Sequence, residues 1–133
     1  MQLISTWFKL ICMNYFLMIS LIFVFSCNKE LKYTKEDLFA KAKAADPSTT
    51  FILPKSMNEG PNCRDYTDGC LATHIVQIKN LDLIAVEFLT EEQAKYAAKK
   101  VRGFYVRNWM LDDVAGEPAL EKFVTESLEA KKP

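Results

Sequence analysis

The chain has 133 residues, enough for one domain and too short for two. Its 17 basic and 17 acidic residues cancel and half of it is hydrophobic, which excludes a disordered chain, a collagen-like fibre and a basic nucleic-acid binder. Lys9 is the only charged residue before Lys29, so the apolar excess lies at the N-terminus. Leu10 to Phe25 is an apolar run broken only by Asn14 and Ser20. As a helix it would measure about 24 Å against roughly 30 Å of hydrocarbon. The length predicts a signal-peptide core over residues 1–26 and not a spanning helix.

The run ends in Val24-Phe25-Ser26-Cys27 and turns polar at Asn28-Lys29-Glu30. A small residue directly before Cys at this place resembles the lipobox of bacterial lipoproteins. That resemblance implies cleavage before Cys27, acylation of Cys27 and a membrane-anchored protein in which residues 27–34 form a short tether. Several acyl chains hold a domain firmly where one alone is marginal. Asn28 stands where an inner-membrane retention signal has Asp, so the resemblance favours the outer membrane in a host that has one.

Residues 35–133 are predicted to form a single α+β domain, a small antiparallel sheet with helices packed on one face, loosely ferredoxin-like. Thr34-Lys-Glu-Asp37 is a capping-box pattern. It opens a helix over 35–45 with Leu38, Phe39, Ala42 and Ala45 on its apolar face, and Asp46-Pro47 stops it. Thr49 to Leu53 is β-branched and apolar, a short strand closed by Pro54. Residues 55–69 read as loop. Residues 73–79 and 83–89 read as strands joined by a short turn. Thr90-Glu-Glu-Gln93 is a second capping box, Ala94, Ala97, Ala98 and Val101 form a narrow stripe, and Gly103 fits a helix C′ position. Phe104 to Leu111 reads as one strand, and Pro118 opens a last helix burying Leu120, Phe123, Val124 and Leu128.

Without Cys12 of the leader and the lipobox Cys27, the cysteines left are Cys63 and Cys70. An even pair in an exported chain predicts a disulfide. Reduced, the two thiols with His74 and Asp65 or Asp68 would offer zinc ligands, but at spacings unlike structural zinc sites, so no metal is expected. Asp68-Gly69 invites a calcium loop, yet Arg64 and Tyr66 then occupy the positions where an EF-hand has carboxylates, which excludes it. His74 is the only histidine and therefore the only base within reach of Cys70 as a nucleophile. Asp112, Asp113 and Glu117 cluster before the last helix, where acids serve as caps or, with pKa values driven apart, as acid–base catalysts. If 104–111 is one strand, Tyr105, Arg107 and Trp109 share a face. Exposed, that face suits recognition of protein or glycan, and packed, it is core.

Val86-Glu-Phe88, Thr90 and the Ala-rich helix ending at Gly103 resemble part of an RNA recognition motif. Leu83 and Ala85 stand where that family stacks aromatics, which excludes RNA. Residues 86–106 are also similar to the first strand, helix and second strand of SPOR domains, and this resemblance implies peptidoglycan binding. The expectation is a membrane-tethered, non-catalytic binding or structural lipoprotein of the bacterial envelope. It has no cofactor, and its partner is an envelope protein or peptidoglycan. The alternative is a small glycan hydrolase working through the acidic cluster.

Overall fold

The computed structural model describes residues 30–52 and 60–133. The predicted leader, Cys27 and the Leu53-Pro54 strand end lie outside them. In chain order the elements are α1 (Lys35–Ala45), β1 (Thr50–Ile52), a 3-10 turn (Cys63–Asp65), β2 (Cys70–Ile78), β3 (Leu81–Phe88), α2 (Glu91–Val101), β4 (Phe104–Val106), β5 (Trp109–Asp112) and α3 (Pro118–Glu126). The strands form one antiparallel sheet in the order β1-β2-β3-β5-β4. The fold is therefore α+β. Its single β-α-β crossover, β3-α2-β4, is the part that a ferredoxin-like arrangement would share.

Helices cover both faces of the sheet, where one helical layer was expected. On one face Leu38 and Ala42 of α1 and Leu120 and Val124 of α3 pack on Val76, Leu83, Ala85, Trp109 and Leu111. On the other, Ala94, Ala97 and Ala98 of α2 pack on Val86, Phe88, Tyr105 and Met110. The cause is in β3, whose residues from Leu83 to Phe88 are apolar on both sides except Glu87, so each side must be covered. Alanines let α2 approach closely. Val101, expected in the same stripe, is 36% exposed.

The run 104–111 is a hairpin and not one strand. Arg107 takes a left-handed φ of 52°, and the chain folds back so that Val106 pairs with Trp109 and Tyr105 with Met110. Asn108 secures the turn: its backbone carbonyl accepts from the Phe88 N–H at 2.8 Å, and its side-chain oxygen accepts from the Tyr33 N–H at 2.8 Å. Lys131 pairs with Tyr105 through two backbone bonds and covers the outer edge of β4.

Thr34 and Asp37 form the predicted capping box of α1. The box at α2 is half made. Thr90 accepts from the Gln93 N–H, but the Gln93 side chain lies against Gly69, where an added Cβ would sit 2.4 Å from its Cδ. Glu30 takes up the α2 terminus instead, accepting from the Glu91 N–H at 2.6 Å. Gly103 serves packing, since its missing Cβ would stand 2.5 Å from the Leu111 carbonyl oxygen. The left-handed cap residue is Arg102, at φ 59°.

Candidate functional site

Cys63 and Cys70 are joined in a disulfide with Cα atoms 5.5 Å apart. The loop it closes is held locally. Asn62 accepts from the Arg64 N–H, Asp65 accepts from the Asn62 N–H, and the Thr73 hydroxyl donates to the Pro61 carbonyl at 2.6 Å. With both sulfurs in the bridge, neither cysteine is a thiolate for zinc or for attack on a carbonyl. His74 does not face this loop as a ligand. It lies between Phe51 and Trp109, with ring centroids 5.7 and 5.8 Å away. Burial, and then the charge of Lys35, push its pKa down. No three His, Cys, Asp or Glu side chains form a metal-holding group among the described residues.

The acids after Trp109 have separate surroundings. Asp112 accepts from the Tyr66 hydroxyl at 3.3 Å and from the Asp113 N–H at 2.9 Å. Asp113 and Glu117 are exposed. Glu117 is the N-cap residue of α3 but makes no side-chain cap bond, and Glu121 reaches back instead to the Gly116 N–H. Burial raises the Tyr66 phenol, with the Asp112 charge adding to it. Tyr66 is therefore a protonated donor to Asp112.

Tyr105, Arg107 and Trp109 are not gathered on one exposed face, because the hairpin sends Tyr105 and Trp109 to opposite sides of the sheet. Trp109 is fully buried, and its indole N–H donates to the Tyr33 carbonyl at 2.8 Å. Tyr105 is 8% exposed. Tyr105 and Arg107 do meet at the rim of a cleft of about 320 Å³ with Tyr33, Glu91, Glu129 and Lys131. There the Arg107 guanidinium lies 5.9 Å from the Tyr33 ring centroid.

Two further clefts escape the sequence reading. One, of about 510 Å³, lies between the disulfide loop and α2 and is lined by Tyr66, Thr67, Asp68, Glu92, Gln93 and Tyr96. The other, of about 290 Å³, lies at the opposite end of the sheet, where Ile78, Lys79 and Leu81 of the β2-β3 turn meet Asp46, Leu120 and Phe123. Asp46 is buried there. One of its oxygens accepts from the Ser48 N–H at 2.9 Å and hydroxyl at 2.6 Å, while the other has no donor. The Ser48 bonds, with Lys79 adding its charge, hold this carboxyl below the usual carboxylate range. Asp46-Pro47-Ser48 carries an Asx-turn signal that could have marked this carboxylate. The cleft it lines takes another wall from α3, which is remote in sequence.

No helix among the described residues is long and apolar enough to cross a membrane. Comparison with protein-family models, with curated proteins and with solved structures gives no match. The lipobox-like and SPOR-like stretches therefore stand on their own residues.

Proposed function

We propose that this chain is an exported, lipid-anchored binding module of a bacterial envelope, held by acyl chains on Cys27 and binding a partner protein or peptidoglycan. The observation that carries the reading is the Cys63–Cys70 disulfide. Such bonds persist in oxidising compartments outside the cytosol, and export is what the apolar leader and Ser26-Cys27 would bring about. Binding, as opposed to catalysis, is supported by how the chemistry-bearing side chains are engaged. The cysteines are bridged, the histidine is stacked between aromatics, and Asp112 is bonded to Tyr66.

Fractionation of cells producing the protein and a Cys27→Ala variant tests the anchor. The unsubstituted protein is expected with membranes, cut before Cys27 and carrying acyl mass, and the variant uncut and without acyl mass; absence of acyl mass from both would overturn it. A pull-down with the chain from residue 28 onward, against bare peptidoglycan and against envelope extract, tests the binding reading. Glycan turnover that disappears in Asp112→Asn would overturn the non-catalytic reading.

A further inference from the structure

The fold begins very near the proposed anchor. Two residues, Asn28 and Lys29, separate Cys27 from Glu30, the first described position, and each of the three steps spans at most about 3.3–3.6 Å. The two Cα atoms therefore lie within roughly 11 Å of each other. Residues 30–33 are also fixed to the domain. Glu30 accepts from the Glu91 N–H, the Lys32 ammonium donates to the Leu89 carbonyl, and Tyr33 is bonded through both of its backbone groups to Asn108 and Trp109. A lipid on Cys27 would be tied to one particular end of the sheet, with no long leash.

That end carries exposed leucines. Glu30 and Lys32 both turn their charged groups onto the 89–91 backbone, and Leu31 between them is 65% exposed. Leu89 is 49% exposed, and its N–H donates to the Gly69 carbonyl. Leu71, at the bulge where β2 starts beside β3, is 53% exposed. The three therefore belong to segments hydrogen-bonded in series, 30–33 to 89–91 and 89 to 69. Single exposed leucines are ordinary. Three beside a lipid attachment point form a surface suited to the acyl boundary, with Lys32 as a cation at headgroup depth.

We infer that Leu31, Leu71 and Leu89 form a membrane-contacting surface, so that the domain stands on the bilayer by this end of its sheet. The inference rests on acylation of Cys27. It makes the bilayer the occupant of the patch. The β2-β3 turn then points away: the eight steps from Cys70 to Ile78 amount to about 26 Å. The Asp46 cleft at that turn is held out from the membrane, and the Tyr33-Arg107 cleft lies close to the headgroups.

The test uses the lipidated protein, with acylation checked by mass, in vesicles of phosphatidylethanolamine and phosphatidylglycerol with or without brominated acyl chains. Leu71→Trp and Leu89→Trp are expected to lose emission in brominated vesicles. Asp82→Trp, near the far turn, is expected to keep it. Tryptophan can itself favour membranes, so amide exchange in the unsubstituted protein is the second readout. Residues 30–33 and 88–91 should exchange more slowly on vesicles than in the unlipidated chain from residue 28, with 78–82 unchanged. An acylated protein showing neither effect would overturn the contact surface and leave the anchor standing. A protein without acyl mass would overturn both.

Discussion

Trp109 shows how one side chain can join distant parts of the chain. It fills the core between α1 and α3, and its indole N–H reaches the Tyr33 carbonyl of the segment before α1. Trp109→Phe removes that donor, leaves a carbonyl short of a partner and opens space. It should destabilise the domain by about 2–4 kcal/mol in a denaturant melt; a loss within error would mean that the bond is immaterial. Gly103→Ala should lower stability by about 1–3 kcal/mol through the clash with the Leu111 carbonyl. His74 gives a pH dependence. Its folded pKa is depressed while the unfolded chain protonates near 6.5, so stability falls as pH drops below 6.5 toward the depressed value. Glu87, whose pKa burial raises, acts in the opposite sense, so the comparison is between variants. His74→Gln should melt with a shallower dependence as pH falls below 6.5, and parallel profiles would refute the assignment. The importance of Trp109 was legible as an aromatic in an apolar run. Its direction was not, because alternation along 104–111 assumes one strand.

At the scale of elements, local signals were legible and partner choice was not. Thr34 with Asp37, Thr90 and Pro118 open three helices as their residue types dictate. The β4-β5 turn uses Arg107 and Asn108 with a positive φ at Arg107, where sequence rules look for Gly; Tyr33 and Phe88, far apart in sequence, hold it. The Gln93 side chain was predicted to close a capping box, but the disulfide-closed loop brings Gly69 against it. That loop was legible from Cys63 and Cys70, and its energetics can be checked. Replacing both cysteines with alanine should cost about 2–3 kcal/mol by loop entropy, read as a shift in the unfolding midpoint. Alkylation of the native exported protein should leave both residues unlabelled until reductant is added. Free thiols in that sample would contradict the bridge.

Across the whole molecule, the sheet separates two ends. One gathers Glu30 to Tyr33, the α2 terminus, the disulfide loop and the β4-β5 turn; the other carries the β2-β3 turn and the buried Asp46. Among the described residues, helices cover both faces of β3, and the clefts open toward these two ends. The sequence pattern could indicate an α+β domain after a leader, but not this polarity, which depends on long-range bonds such as Tyr33 to Asn108. The anchor and the membrane-contacting surface both depend on the state of Cys27, and intact-mass analysis of the protein extracted from membranes reads it directly. A chain beginning at Cys27, lighter by residues 1–26 and heavier by acyl groups, is expected. A full-length chain with Cys27 unmodified would overturn both proposals.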